Sequence, residues 1–417
     1  GCQQARQAGL PTIELQSPRH DMALIARSVY GNPQRGMQLV GVTGTNGKTT
    51  VTQMLRHVLM QQRDRVGVIG TLGAFINDEQ IPTLRTTPES TDLYALLGYM
   101  RDQGVSTVCM EVSSHALVLE RVAGLHFDVA LFTNLSQDHL DFHGDMETYF
   151  AAKALLFRET MSSTSVINVD DSWGARLLNM SDSPTVISVG RDGQRTVSDA
   201  ATTTEGYTSF QFQTASDVYE VTIPMFGLFN ASNAALCLTA TDLIGADVAQ
   251  AVESLKSLPQ VPGRTEVVWH QDGRLAIVDY AHTPDAMEKV LLQIKAVQPK
   301  RLITVFGCGG DRDAAKRPVM GNIATELSNV VIVTDDNPRS EVPEFIREAI
   351  IAGVQNSTCI VENIGDRRQA IGRALEIAET GDVIAVLGKG HEIGQEVAGV
   401  ITPFDDREVV VQEASRA

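Results

Sequence analysis

Gly41-Val-Thr-Gly-Thr-Asn-Gly-Lys-Thr-Thr50 decides how this chain is read. An apolar run of β character (Leu39, Val40, Val42) leads into it. A helical pattern with Val51, Met54, Leu55, Val58 and Leu59 on one face follows. A strand, a glycine turn and a helix opening on Lys-Thr make a phosphate cradle. Backbone N–H groups of Gly44, Thr45, Asn46 and Gly47 and the helix start at Lys48, Thr49 and Thr50 face the anion. Lys48 sets a point charge on the outer phosphates, and Thr49 offers its hydroxyl to Mg²⁺. The generic loop has glycine where this chain has Val42, so Gly41, Gly44 and Gly47 define a variant. A chance Gly/Thr-rich turn is the competing reading, and the flanking strand and Lys-Thr oppose it. The chain is expected to bind a nucleoside triphosphate.

The 417 residues exceed one ordinary core and suggest two or three domains. Apolar residues make up 43% and charged residues 20%, the balance of a soluble globular protein. No apolar run is long enough for a membrane span, and the N-terminus lacks the pattern of a signal peptide. Cys2, Cys109, Cys237, Cys308 and Cys359 are scattered without a Cys-x-x-Cys pair. That spacing fits a reducing cytoplasm and no structural zinc, with Cys109 and Cys237 as small buried hydrophobes. The net charge of −17 argues against nucleic acid or an anionic membrane as partner. An anionic substrate must then be met by local basic residues.

Strand candidates at 38–43, 65–70, 106–112, 129–133, 165–169 and 185–189 alternate with helical stretches. This rhythm predicts an α/β fold with a mostly parallel sheet covered on both faces. Over 200–224, Tyr207, Phe210, Phe212, Val218, Val221 and Ile223 alternate with polar residues, which predicts an antiparallel excursion. Helical periodicity resumes at 230–258. Leu258-Pro-Gln-Val-Pro-Gly263 reads as a linker, and a second series follows. Its strands are expected at 275–279, 302–306, 330–334 and 382–387, and its helices at 284–297, 317–327, 343–354 and 366–379.

Further motifs sit at strand ends, where open α/β sheets place ligands. Glu111-Val-Ser-Ser-His115 ends one strand and Thr133-Asn-Leu-Ser-Gln-Asp-His-Leu-Asp141 the next. Glu111 and His139 would each be unremarked alone; together, on a sheet bearing a phosphate loop, they are candidates for metal or phosphate contact. Lys153, in Tyr149-Phe-Ala-Ala-Lys-Ala-Leu-Leu-Phe157, reads from the residues as a snorkelling surface lysine. Cys308, in Phe306-Gly-Cys-Gly-Gly-Asp-Arg-Asp313, has no evident histidine partner. A glycine-rich substrate turn is the preferred reading there over a nucleophile.

Thr43–Thr50, Glu111–His115, Thr133–Ser136 with Asp138–Asp141, Val278-Asp-Tyr-Ala-His-Thr-Pro284 and Gly388-Lys-Gly-His-Glu392 together resemble the signature set of the Mur ligases. These ATP-dependent enzymes add amino acids to the peptidoglycan precursor. The likeness runs from about residue 20 to the C-terminus. Folylpolyglutamate synthase and cyanophycin synthetase share the loop, but are not expected to carry Glu111–His115 together with Asp336–Arg339. The resemblance implies a central ATP-binding P-loop domain over 37–262 and a Rossmann-like amino-acid-binding domain over 263–417. Residues 1–36 would be the remnant of a UDP-binding domain and its linker. Only forty residues precede Gly41, where the family has a domain that grips uridine diphosphate, so weak holding of the UDP-sugar peptide is expected.

The resemblance also implies roles. Lys153 would be carbamylated, turning a cation into an anion with two oxygens suited to Mg²⁺. Thr49, Glu111, His139 and Lys153 match metal-site positions. Asn230 and Asn233 match the region that holds the nucleotide base, and Arg264 and Asp279 match residues that the second domain brings to ATP. Lys48, Lys153, Glu111, His139 and Arg264 are thus the expected catalytic set. Thr86, Thr87, Ser113 and Arg121 match contacts to the UDP-sugar peptide. The chain departs from the family at Arg85, where asparagine is frequent, and at Leu119, where some members have glutamine.

Asp336-Asn-Pro-Arg339 follows the apolar run Val330–Thr334. From the residues alone, a surface turn and a substrate turn are both open. In the family this tetrapeptide marks members that add meso-2,6-diaminopimelate to UDP-N-acetylmuramoyl-L-alanyl-D-glutamate, whereas lysine-adding members differ. A guanidinium at Arg339 suits the extra carboxylate of diaminopimelate. Arg312, Gly388 and Glu392 match the remaining amino-acid contacts. The expected enzyme is a cytoplasmic monomer using ATP, Mg²⁺ and a carbamate on Lys153, with no nucleic-acid or membrane partner. The alternatives are an L-lysine-adding member, a P-loop NTPase that works as a switch or motor, and a non-catalytic relative.

Overall fold

Alternate residues of Gln38–Thr43 serve opposite cores. Val40 and Val42 pack with Val51, Met54 and Leu55 of the helix Lys48–Met60, while Leu39 packs with Leu93, Leu97 and Phe127 on the other face. Cys109 and Leu131 join the first core, and Val108, Met110, Ala130 and Phe132 the second. The period of two is the pleat of a strand, and burial on both faces makes these strands continuous apolar runs. The molecule is known here as a computed structural model describing residues 2–9, 15–83, 85–355 and 358–416.

The first sheet holds β1 (Gln38–Thr43), β2 (Val66–Gly70), β3 (Gly73–Ile76), β4 (Glu79–Ile81), β5 (Thr107–Glu111), β6 (Phe127–Phe132), β7 (Ser162–Asn168), β8 (Thr185–Gly190), β9 (Arg195–Thr202), β10 (Thr208–Gln213) and β11 (Val218–Ile223). Their order is β11-β10-β9-β8-β7-β6-β1-β5-β2-β3-β4. The strands from β9 to β2 run parallel, and antiparallel ribbons finish both ends. The antiparallel excursion is where its alternation places it. The β3–β4 hairpin lacks a clear sequence signal because its strands are only four and three residues long.

The second sheet holds β12 (Glu266–Gln271), β13 (Arg274–Asp279), β14 (Leu302–Phe306), β15 (Val330–Val333), β16 (Ile360–Asn363) and β17 (Val383–Leu387), in the order β12-β13-β17-β14-β15-β16. It is parallel except for β12. Leu275, Phe306 and Leu387 face one core, and Val278, Val305 and Val386 the other. A separate hairpin, β18 (Gly394–Val397) and β19 (Val400–Pro403), follows. In both sheets the C-terminal ends of the parallel strands supply the residues singled out above. Among the described residues no helix is long and apolar enough to cross a membrane.

Candidate active site

The loop after β1 is shaped by two glycines and propped by the segment after β6. Gly44 (φ +149°) has Thr133 where a Cβ would project, and Gly47 (φ +85°) would set a Cβ 2.5 Å from Asn233 Oδ1. No other residue fits there without displacement. The Thr133 hydroxyl donates to Asn46 O at 2.6 Å, Asn46 N donates to Asn134 Oδ1 at 3.0 Å, and Thr45 N donates to Asn134 O at 2.8 Å. Thr133-Asn-Leu-Ser136 therefore holds the phosphate loop in shape. Thr49 and Thr50 are buried in the first turn of the helix that follows.

Lys153 is only 1% exposed, so it is not a snorkelling surface lysine. The helix Met146–Ala154 turns it inward, where Nζ donates to Gly44 O at 2.8 Å. Lys48 Nζ donates to the same carbonyl at 3.0 Å and to Thr45 O at 2.8 Å. Burial, and then the neighbouring Lys48 charge, push the Lys153 ammonium well below its ordinary range. Burial also lowers Lys48, against Glu111 and Asp138, which favour its charge.

Glu111, at the end of β5, is 1% exposed and is held from three directions. Its Oε1 accepts from the Thr49 hydroxyl at 3.0 Å and from Thr71 N at 2.8 Å, and its Oε2 accepts from the Thr71 hydroxyl at 3.1 Å. His139 takes a left-handed backbone (φ +54°), its N–H donating to Asp138 Oδ1 at 2.8 Å. Its ring lies 4.9 Å from that of His115, and burial lowers its basicity. Among the described residues no three His, Cys, Asp or Glu side chains are grouped so that they alone could hold a metal ion. The donors present nevertheless fit Mg²⁺, which takes hard oxygen ligands and fills further positions with water and substrate phosphate. Thr49 and Glu111 would supply oxygens, and His139 a ring nitrogen.

These groups line a cavity of about 520 Å³ shared with the second sheet. From that side come Arg264, Asp279, Tyr280 and His282. Asp279 ends β13 and accepts from Thr265 N at 2.6 Å and Ala281 N at 2.7 Å, while burial raises its pKa against the pull of Arg264. The Arg264 guanidinium lies 4.8 Å from the Tyr280 ring centre, and its Nε has no hydrogen-bond partner among the described residues. Asn233 lines the cavity; Asn230 is fully buried and accepts from Asn233 Nδ2 at 3.0 Å. Asn230 thus reaches the cavity through Asn233.

Thr86 and Ser113 line the same cavity, Thr86 Oγ1 lying 3.2 Å from Thr71 Oγ1. Thr87 and Arg121 are buried instead. The Thr87 hydroxyl donates to Glu111 O at 2.8 Å, and Arg121 pairs with Glu89 at 2.8 Å and donates to Thr87 O at 3.3 Å. Arg85 is more than half exposed, 3.7 Å from Glu89, and Leu119 caps the short helix Ser114–Val118.

Asp336, Asn337, Pro338 and Arg339 follow β15, beside Gly388–Glu392 after β17. Asn337 Nδ2 donates to Glu392 Oε2 at 2.9 Å. Arg339 has φ +54°, donates from Nη1 to Gly310 O at 2.7 Å and has Nε 3.5 Å from Glu396. A Cβ on Gly388 would lie 2.8 Å from Asp336 Oδ2, and its N–H donates to Asp279 O at 3.1 Å. Gly310 packs under Pro338, while Arg312 is exposed on the same glycine-rich turn. Cys308 is buried against Met320 Sδ at 3.8 Å, its thiol pushed up to about 12 by burial. Such burial opposes an activated thiolate at Cys308.

Thr71, Asn134 and Lys389 organise this region without having been singled out. Thr71 carries no pattern of its own, and only three-dimensional pairing reveals it. Asn134 and Lys389 lie inside quoted motifs, which was the available signal.

Two family models match the chain: the Mur ligase middle domain over residues 42–241, and the Mur ligase glutamate ligase domain over residues 263–390. The chain is 46% identical over 411 residues to UDP-N-acetylmuramoyl-L-alanyl-D-glutamate–2,6-diaminopimelate ligase of Corynebacterium glutamicum, covering 96% of this chain and 79% of that protein. It is 42% identical to the protein of the same name from Streptomyces avermitilis, covering 99% and 83%. A solved structure of a ligase with that name superposes with a TM-score of 0.71 at 34% identity, covering 97% of this chain and 84% of that one. Folylpolyglutamate synthase of Mycobacterium tuberculosis, at 19% identity and a TM-score of 0.72, shares the fold. The chain belongs to the Mur ligase family of ATP-dependent ligases.

Proposed function

We propose that this ligase joins meso-2,6-diaminopimelate to the D-glutamyl carboxylate of UDP-N-acetylmuramoyl-L-alanyl-D-glutamate, consuming ATP. The observation that carries the choice of amino acid is Arg339 on the turn after β15, whose neighbour Asn337 is hydrogen-bonded to Glu392 on the loop after β17 while the Arg339 guanidinium donates to Gly310 O. Diaminopimelate ends in a carboxylate and an ammonium, which suit Arg339 and Glu392 respectively. Lysine lacks that carboxylate and forgoes the charge-assisted hydrogen bond to Arg339, a difference of about 1.5–3 kcal/mol.

The substrate carboxylate attacks the γ-phosphorus of ATP, ADP leaves, and the acyl phosphate is then attacked by the amine, which loses a proton as phosphate departs. Both steps gather negative charge on oxygen. Lys48, Arg264 and the loop N–H groups stabilise it by position. Thr49, Glu111 and His139 would hold Mg²⁺, which supplies charge neutralisation at the phosphates. Lys153, whose buried site favours the uncharged amine, would add to CO₂ through its lone pair and release a proton, leaving a carbamate able to join those ligands. Asn233 borders the base side of the cavity, and Thr86 and Ser113 the sugar-peptide side. Residues 37–262 and 263–417 are the corresponding functional units.

Competing incorporation of meso-diaminopimelate and L-lysine, read as amino-acid-dependent ADP release, tests the proposal. Strong preference for diaminopimelate, lost in Arg339→Ala, is expected. Equal use of lysine would refute it.

A further inference from the structure

Lys389 has no exposed surface, yet its ammonium is fully used. Nζ donates to Asn337 Oδ1 at 3.1 Å, to Glu392 Oε2 at 3.3 Å and to Gly394 O at 2.7 Å. Three protons meet three acceptors on three segments: the turn after β15, the loop after β17 and the start of β18. The Asn337 amide closes the figure, donating to Glu392 Oε2 at 2.9 Å and accepting Glu396 N at 2.9 Å. Asn337 Oδ1 therefore has two protein donors already, which leaves its carbonyl poorly placed to serve a ligand. A buried ammonium with satisfied hydrogen bonds is a rigid fixture, because moving it would strand a charge.

We propose that Lys389 is a positioning residue for the amino-acid substrate, fixing the Glu392 carboxylate and the Asn337 turn that presents Arg339. This rests on the reading of Asp336–Arg339 and Gly388–Glu392 as the amino-acid pocket. The three-way tie also recruits the β18–β19 hairpin, which lies beyond the residues matched by the glutamate ligase domain model. The main chain repeats the link, with Arg339 N donating to Glu396 O at 3.1 Å and Ala398 N to Arg339 O at 2.7 Å. Selectivity for the far end of the amino acid thus depends on a hairpin outside the matched segment.

Steady-state kinetics on Lys389→Met, Asn337→Leu, their double variant and Arg339→Ala test the assignment. Lys389→Met is expected to raise the KM for meso-diaminopimelate at least tenfold. The KM for ATP should stay within twofold, and kcat at saturating amino acid within threefold. Asn337→Leu should do the same, and the double variant should be no worse than the worse single one, because both act through one network. An unchanged diaminopimelate KM in Lys389→Met, an equal rise for ATP, or multiplicative single effects would overturn it. If Lys389→Met does not fold, Asn337→Leu decides: an unchanged KM there overturns the proposal. An unchanged KM in Arg339→Ala would instead refute the pocket reading itself, whereas an Arg339 effect without a Lys389 effect removes only the role of Lys389.

Discussion

Lys48 and Lys153, 105 positions apart in the chain, donate to one acceptor, the carbonyl oxygen of Gly44, at 3.0 and 2.8 Å. Two buried ammonium groups on one carbonyl repel each other, and the less solvated one gives up its proton more readily. Burial and the Lys48 charge lower the Lys153 pKa, which favours its reaction with CO₂. Lys153→Ala should abolish ligation, with partial recovery on adding acetate or formate as a substitute for the carbamate. Wild-type turnover by this variant in bicarbonate-depleted buffer would exclude the carbamate.

Thr71 contributes two of the three hydrogen bonds that fix the Glu111 carboxylate. Thr71→Val keeps the backbone donor and removes the hydroxyl. Groups that orient a metal ligand typically contribute ten- to a hundredfold to metal affinity. The Mg²⁺ concentration for half-maximal activity should rise by about that factor, with the melting temperature little changed. A Mg²⁺ titration matching the wild type would show that Glu111 is not a metal ligand or needs no such support.

His391 is held neutral: burial, then the charges of Arg264 and Arg407, lower its pKa to about 4. The unfolded chain protonates near pH 6.5. Between those values the unfolded state binds more protons, so folding stability falls as pH drops through that window. The slope from one proton is at most about 1.4 kcal/mol per pH unit. Denaturant unfolding from pH 7 to pH 4 should show a shallower decline in His391→Gln than in the wild type. Parallel declines would show that the histidine titrates alike in both states.

Arg367 and Asp406 form a fully buried pair, with Nε–Oδ1 at 2.7 Å and Nη2–Oδ2 at 2.6 Å. Asp406→Ala leaves a buried cation and should cost about 3–5 kcal/mol. Arg367→Met with Asp406→Leu should recover most of that loss. Chemical denaturation of the three variants decides it, and a double variant less stable than Asp406→Ala would contradict the argument.

The parallel strands were legible because double-faced burial makes them apolar runs, as in Val330–Val333 and Val383–Leu387. The phosphate loop was legible because its glycines, lysine and threonines are contiguous. The burial of Lys153, a residue whose role only the family resemblance brought forward, was not, since its inward turn follows from packing of the helix Met146–Ala154 and its partner Gly44 is remote in sequence. The same limit hid Lys389, whose burial depends on acceptors from three segments. The β18–β19 hairpin escaped notice because its two four-residue strands carry too little alternation to register.

Gly263 has φ +63° and lies so close to the Gly390–His391 peptide that a Cβ would collide with it. Tyr280 packs on Gly390 from another side, and Tyr280 N donates to Gly263 O at 2.9 Å. The last linker residue is thereby welded to the loop that bears Glu392, so a pivot in this linker can extend no further than residue 262. Arg264, which lines the cavity, and the Gly388–Glu392 loop, proposed above to face the amino acid, must then move as one lever. Any rotation about the linker that brings one to its partner carries the other through the same angle.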